Sequence, residues 1–229
     1  MFTFLNVPVA GAFHLIVPII AVLHPLFGGV CVAVAVVLFT CAVRLLLLPL
    51  ARAAVRGERA RAVLAPRIAT LRARHKNDPQ RLQREVATLQ QESGLSMFAG
   101  CLPMLAQAPF FTIMYRLFTS PTVAGHPNTL LAGSMFGVPL NQHLLATMHG
   151  PAGFVFLVLL AALGVVATLS MRWQAATVTV DPPPGARLMR YLAYFPLLVA
   201  AILPLVGGIY LLTSTTWTVV ERKLLHRPG

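Results

Sequence analysis

Long apolar stretches alternate with short polar ones along this chain, and the apolar stretches have the length of membrane-spanning helices. A transmembrane helix needs roughly 20 mostly apolar residues, and three separate stretches each supply one. The last apolar block is too long for one span and is interrupted near Pro204. The pattern therefore predicts an all-α integral membrane protein with five spans, at 28–50, 98–118, 153–171, 190–203 and 204–221.

The segment 6–26 is also apolar but is interrupted by three prolines and two histidines. These interruptions favour an interfacial helix that lies on the membrane. A short uncleaved signal-anchor is the alternative. No Lys or Arg precedes Arg44 to form the charged start of a secretory signal peptide, so we do not expect one here.

Charge along the chain predicts the orientation of these spans. Residues 51–97 contain ten Lys and Arg and four acidic residues, whereas the loop 119–150 contains no charged residue. The segment 172–190 adds three arginines, and three basic residues follow position 220. Basic loops stay in the cytoplasm, so we expect the N-terminus outside, the loop 172–189 inside and the tail 222–229 inside. An odd number of spans agrees with this orientation.

The charged insert 51–97 has the pattern of two amphipathic helices. Leu64, Ile68 and Leu71 recur at helical spacing, and a second apolar stripe follows the sequence HKNDPQ. In that sequence Asp78 can cap a helix that begins at Pro79. We expect a cytoplasmic helical hairpin, either mobile near the lipid headgroups or a solvated connector that only sets topology. Its candidate functional residues are Arg67, Arg72, Arg74, Asp78 and Pro79.

Composition supports a membrane protein and argues against catalysis. The 229 residues are 57% hydrophobic and 10% charged, with a mean hydropathy of +0.77 and a net charge of +12. Such basicity is typical of nucleic-acid binding, but here the distribution of charge fits membrane topology better. We find no nucleophile with its base, no phosphate-binding glycine loop and no metal-ligand spacing among the three cysteines. We therefore expect neither enzyme activity nor a cofactor or metal.

Arg44 is a cation inside the first predicted span, and other polar residues lie at similar depth. It lies six residues from Leu50, or about 9 Å from the cytoplasmic end. A charge in hydrocarbon normally faces water or a partner, so Arg44 either extends to the headgroups or lines a wet recess open to the cytoplasm. The candidate residues of this recess are Arg44, Gln107, Thr215, Thr216, Thr40 and Thr168, and Trp217 lies beside the threonines.

Four segments resemble motifs of the YidC/Oxa/Alb membrane protein insertases, and together they extend over nearly the whole chain. These segments are GCLPMLAQAPFFTIMY at 100–115, RLLLLPL at 44–50, the charged hairpin with its DPQ turn, and PLVGGIYLLTSTTWTVVE at 204–221. The chain departs from the family pattern at several positions. Its final helix has Tyr210-Leu211 for Tyr-Trp, Thr215 for Asn and Glu221 for Gln, and Ser96-Met97 replaces an Asn-Pro pair.

The resemblance implies a protein of the bacterial cytoplasmic membrane that passes hydrophobic segments of nascent proteins from the cytoplasm into the lipid bilayer. It implies an inner-leaflet hydrophilic groove that contains Arg44 and, less directly, Gln107 and Trp217. It also implies a single domain of the compact form, without the large periplasmic domain and without nucleotide or metal. The ribosome and the Sec translocon are further candidate partners.

Two other functions remain open from sequence. A small-solute transporter would bind its solute at the membrane midplane, often between repeated halves, and no internal repeat is apparent. An assembly chaperone that holds membrane subunits without inserting them would use the same recess as an insertase.

Overall fold

The computed structural model describes residues 6–93, 112–123, 125–147, 150–177 and 190–225. These residues are mostly helical. The first four helices are α1 (Asn6–Phe27), α2 (Cys31–Leu46), α3 (Leu48–Arg74) and α4 (Pro79–Glu92). They are followed by α5 (112–119), α6 (Leu144–Thr147), α7 (Pro151–Thr177), α8 (Phe195–Ile202) and α9 (Leu205–Leu225).

Two short antiparallel hairpins fill the loop between α5 and α6. They pair β1 (Thr122–Val123) with β2 (His126–Pro127) and β3 (Ser134–Met135) with β4 (Val138–Pro139). Phe136 and Gly137 connect β3 to β4 with φ values of 52° and 80°. Two central residues with positive φ are typical of the tight turn that matches the twist of a hairpin.

Two helical stretches within the described residues are long and apolar enough to cross a membrane. They are Val7–Leu46, which includes α1 and α2, and Ala152–Gln174 in α7. Most of the predicted span 98–118 lies outside the described residues, and only 112–119 is seen as helix. The five-span count therefore stays a prediction.

The observed helix ends differ from the predicted span ends for physical reasons. The chain forms a 3₁₀ turn at Gly28–Val30 before α2, and α2 ends at Leu46 instead of continuing to position 50. Pro49 stands in the first turn of α3, where the missing proline N–H costs no helical hydrogen bond. A new helix therefore begins at Leu48.

The later predicted spans also differ in length. Helix α7 is longer than the predicted span 153–171 at both ends. At its C-terminal end, helical hydrogen bonding continues through polar residues after the apolar pattern ends. In the predicted span 190–203, a 3₁₀ segment at Arg190–Tyr194 precedes the eight-residue α8. Helix α9 continues four residues beyond position 221.

The core forms where α2 and α9 pack along each other, with α1 against α2 and α7 against α9. Ile16 of α1, Val36 of α2 and Leu205 of α9 are among its fully buried side chains. The loop 122–147 covers one end of this core, because Leu205 and Val206 donate their N–H groups to the carbonyls of Gln142 and Leu140 at 2.8 and 3.0 Å. We call this the loop end, and we call the opposite end, where α3 begins, the α3 end.

Candidate functional site

Arg44 reaches across from α2 to α9. Its Nη2 atom donates a hydrogen bond to the Ser214 hydroxyl and lies 3.4 Å from the Ser214 carbonyl oxygen. Ser214 is buried, with 2% of its surface exposed, whereas Arg44 is half-buried. The guanidinium therefore rests against a neighbouring helix while part of the side chain still meets the surroundings.

Thr218 completes a small polar cluster with Arg44 and Ser214. Its hydroxyl donates to the Ser214 carbonyl oxygen at 2.9 Å, one helical turn away. That oxygen is thus approached by a hydroxyl and by a guanidinium. We refer to Arg44, Ser214 and Thr218 as the Arg44 cluster.

The other predicted threonines mostly bond to their own helices. Thr40 is buried and donates to the Val36 carbonyl at 2.7 Å, and Thr215 donates to the Leu211 carbonyl at 2.7 Å. These hydroxyls are satisfied locally, which lowers the cost of placing them among apolar side chains.

The predicted groove residues of α9 lie on different sides of the helix. Successive residues of a helix are about 100° apart, so Thr215 and Thr216 lie roughly 100° and 200° from Ser214. Thr216 is exposed, and Trp217 is half-buried closer to the Ser214 side. The structure therefore places Trp217, but not Thr216, near the face of α9 that carries the Arg44 cluster.

Thr168 lies in a different setting, on α7. Its hydroxyl donates to the Gly164 carbonyl at 2.8 Å and lies 3.1 Å from the Tyr194 hydroxyl. Closer to the end of α7, Gln174 donates to the Ser170 hydroxyl at 3.0 Å. Of these contacts, the one between Thr168 and Tyr194 joins α7 to the 3₁₀ segment before α8. Gln107 lies outside the described residues.

Polar contacts also link α3 to α9 at the α3 end. Arg222 donates to a Glu58 carboxylate oxygen at 2.8 Å, and the Arg59 guanidinium donates to the Leu225 carbonyl oxygen. Sequence reasoning treated these residues only as part of a basic insert and tail. No motif identified this contact, since its partners lie more than 160 residues apart.

Helices α3 and α4 pack against each other, and their connection is stabilised locally. Asp78 caps α4 by accepting from the Arg81 N–H at 2.9 Å, and Pro79 is the first residue of that helix. Both occupy the positions that the sequence predicts. His75 Nε2 lies 2.9 Å from one carboxylate oxygen of Glu85. The other oxygen of Glu85 accepts a hydrogen bond from Arg81. The predicted residues Arg67, Arg72 and Arg74 are exposed along α3.

An apolar pocket lies nearer the loop end, between α2, α5 and α9. Val36, Phe118 and Tyr210 are among the residues that line it. No charged side chain of the described residues contributes to its lining, so it is separate from the Arg44 cluster. Nor do the described residues contain a group of three His, Cys, Asp or Glu side chains that could hold a metal.

Comparison with known proteins identifies the family. The family described as "60Kd inner membrane protein" matches residues 22–228. The chain belongs to this family. The resemblance to the YidC/Oxa/Alb insertases, inferred from four motifs, is confirmed.

Several relatives of this chain are named "Membrane protein insertase YidC". The protein from Streptomyces avermitilis is 28% identical over 253 aligned positions, which cover 99% of this chain and 58% of that protein. The protein from Clostridium perfringens is 36% identical over 98 positions, covering 42% of this chain and 41% of its own length. The protein from Granulibacter bethesdensis is 42% identical over 84 positions, covering 37% of this chain and 14% of its own length. This chain thus spans less than two thirds of each of these relatives.

Proposed function

We propose that the protein is a membrane protein insertase that moves hydrophobic segments of nascent proteins from the cytoplasm into the bilayer. Family membership and the insertase names of the relatives support this activity. The observation that carries the proposal is the contact of Arg44 with Ser214, which turns the cation toward α9. A side chain extended to the lipid headgroups would instead point away from the neighbouring helix.

The proposed mechanism is electrostatic and involves no bond chemistry. An acidic or polar flank of the nascent segment enters a water-filled groove beside α2 and α9, where Arg44 attracts it. Hydroxyl groups such as Thr218 replace part of the water that the flank loses, which reduces the cost of desolvation. The hydrophobic segment then passes sideways into lipid, because the exposed surfaces of α7 and α8 are apolar.

The proposed orientation places the α3 end in the cytoplasm. The insert 51–97 and the end of α9 carry most of the basic residues, and basic segments remain on the cytoplasmic side. The membrane potential then assists an acidic flank by about 2.3 kcal/mol per charge per 100 mV. We include Gln107 and Trp217 in the proposed groove by their place in the family motifs, and the ribosome and Sec translocon as proposed partners.

The test compares insertion of two single-span proteins that differ only in whether the translocated tail is acidic or neutral. Arg44→Ala should lower insertion of the acidic form about tenfold, the equivalent of about 1.4 kcal/mol. Arg44→Lys keeps the charge and should retain much of the activity. The measured quantity is the fraction of tail protected from protease after insertion. Equal insertion of the acidic form by wild type and Arg44→Ala at matched protein levels contradicts the mechanism.

A further inference from the structure

A large aromatic side chain stands at the tip of the β3–β4 hairpin. Phe136 is 76% exposed and has a φ of 52°. A bulky residue rarely adopts a positive φ, because its Cβ atom then crowds a neighbouring carbonyl oxygen. Tight hairpin turns of this kind favour Asn, Asp or Gly at the same position. In water, Phe136 is therefore unfavourable both for its backbone conformation and for its exposed ring.

The base of this hairpin is fixed to the core of the protein. Val138 and Leu140 are buried, and the Leu140 N–H donates to the Gly133 carbonyl at 3.0 Å. On the other strand, the Ser134 Oγ atom lies 3.4 Å from a Cβ atom built at Gly29. The hairpin therefore has a defined position beside the turn that connects α1 to α2, while its tip stays exposed.

The turn between α1 and α2 marks one boundary of the apolar helix surface. Helix α2 begins there, and α7 also begins at the loop end. Leu26 and Phe27 are exposed directly before the turn. Phe136 lies two residues from Ser134, so their Cα atoms are at most about 7 Å apart. The ring of Phe136 therefore lies close to the level at which the apolar surface of α2 begins.

The residues of the loop are compatible with contact to lipid at this level. Residues 119–150 include no charged side chain, so the hairpin can approach hydrocarbon without desolvating an ion. The β1–β2 hairpin of the same loop differs at its surface. Its exposed residues, among those that the structure describes, are Thr122, Gly125, His126 and Pro127, and none of them is a large apolar side chain. An aromatic tip is thus a property of one hairpin and not of the whole loop.

We propose that the β3–β4 hairpin docks on the membrane surface, with the Phe136 ring between the headgroups and acyl chains of the leaflet at the loop end. In the proposed orientation this is the outer leaflet. Lipid removes the ring from water, which offsets the unfavourable backbone conformation. A smaller side chain at position 136, such as cysteine, does not reach the acyl chains and stays accessible to water-soluble reagents.

The docked hairpin also has a consequence for the helices. The carbonyls of Leu140 and Gln142, just beyond β4, accept from the first N–H groups of α9. A hairpin held at the membrane surface therefore helps to keep the loop over the start of α9. This lipid contact goes beyond the proposed insertase function and does not depend on it.

Photo-crosslinking in vesicles tests the lipid contact with the aromatic ring kept in place. The full chain carries the photoreactive analogue p-benzoylphenylalanine at position 136, in vesicles of phosphatidylcholine and phosphatidylglycerol. Irradiation should attach the analogue to lipid acyl chains, as identified by mass spectrometry of the peptide. The matched control carries the same analogue at His126, on the other hairpin, and should give little or no lipid adduct.

Hydrogen exchange of the Leu140 N–H provides a test in which a tip in water and a tip in lipid predict opposite signs. Phe136→Asn supplies a residue that the turn favours, so exchange would slow if the tip lay in water. If the tip lies in lipid, the contact is lost and exchange in vesicles should become about five- to tenfold faster, part of what full burial of a phenylalanine ring provides. Phe136→Trp should exchange as wild type does. His126→Asn is the matched control and should leave Leu140 unchanged.

Slower or unchanged exchange in Phe136→Asn overturns the inference. Lipid adducts that are equally frequent from positions 136 and 126 overturn it as well, and so do adducts from position 136 to a second copy of the chain in place of lipid. If Phe136→Asn does not fold, the crosslinking result decides, because that variant keeps an aromatic ring. Neither outcome bears on Arg44, so a defect of Arg44→Ala with acidic tails would leave the proposed function standing.

Discussion

At the residue scale, Ser214 determines where the Arg44 guanidinium lies. Its side chain is small enough for α2 and α9 to pack closely, and its hydroxyl and carbonyl oxygens both face the arginine. Hydrogen bonds that involve a charged group contribute about 1.5–3 kcal/mol, which is enough to favour this position of a flexible side chain. The cation is thereby kept on the protein side of α2.

Removing the Ser214 hydroxyl should weaken the site without abolishing it. In Ser214→Ala the carbonyl oxygen still lies 3.4 Å from Arg44 Nη2, so we expect insertion of an acidic-tailed substrate to fall about two- to fivefold. Thr216→Ala is the matched control, because Thr216 is exposed on another side of α9. Protease protection of the tail measures both variants. A defect in Thr216→Ala as large as that in Ser214→Ala would argue against the role of the Arg44 cluster.

At the element scale, the loop 122–147 packs closely against α2 at the loop end. Gly133 packs directly on Val32, and a Cβ atom built at position 133 would lie 2.7 Å from the Val32 Cβ. Because a Cβ atom moves only with its backbone, relieving this overlap requires a backbone shift in the loop or in α2. The backbone of Gly133, with φ −66° and ψ 141°, is otherwise open to alanine.

We therefore expect Gly133→Ala to destabilise the protein by about 1–3 kcal/mol through overpacking. Thermal unfolding of the purified protein in detergent measures the change. Gly11→Ala is the matched control, since no atom lies within 4 Å of a Cβ built there, and alanine stabilises a helix by up to about 1 kcal/mol relative to glycine. Equal Tm values for Gly133→Ala and wild type would contradict this packing.

The exposed surface of helix α1 bears on whether this helix lies on the membrane or crosses it. One of its faces is buried in the core, through Val9, Ala12, Phe13 and Ile16. Its remaining surface is mostly apolar, with Val7, Leu15, Val22 and Leu26 between 60% and 79% exposed, but it also exposes His14 and His24. A helix that lies on the interface normally has one polar face, whereas a helix that is apolar all round suits the bilayer interior. The length of α1 fits the signal-anchor alternative and its exposed histidines fit the interfacial helix, so both stay predictions.

At the scale of the whole molecule, α2 and α9 run in the same direction between the loop end and the α3 end. Gly133 contacts the start of α2, and the loop carbonyls bind the start of α9. At the other end, Glu58 and Arg222 join the first half of α3 to the last turn of α9. The charged hairpin and the end of α9 therefore share one end of the molecule, opposite the loop 122–147.

Labelling from outside the cell tests this arrangement across the membrane. Single cysteines at the exposed positions Phe136 and Lys223, with Cys31, Cys41 and Cys101 replaced, can be treated with an impermeant maleimide. Position 136 should react in intact cells, and position 223 only after the membrane is opened. Reaction of both positions from the same side would contradict the proposed topology.

The sequence predicts much of this organisation but not its contacts. The spacing and length of the apolar stretches were sufficient to predict helices at α2 and α7. The residue types in the DPQ turn were sufficient to predict that Asp78 caps a helix beginning at Pro79. Both signals are local in the sequence. The end of α2 was predicted four residues too late, since apolar residues continue through the break before Pro49. Pairs such as Arg44 with Ser214 depend on packing between distant segments, which a single sequence does not reveal.

Photo-crosslinking from position 218 tests the central claim most directly, because it detects contact between the nascent chain and the Arg44 cluster. A photoreactive residue replaces Thr218, and a control variant carries it at Leu198, which is exposed on the apolar surface of α8. During translation of an acidic-tailed membrane protein, position 218 should crosslink to the nascent tail and lose that crosslink in Arg44→Ala, while position 198 should not crosslink to the tail. Crosslinks from position 218 to lipid alone would contradict a groove beside Arg44.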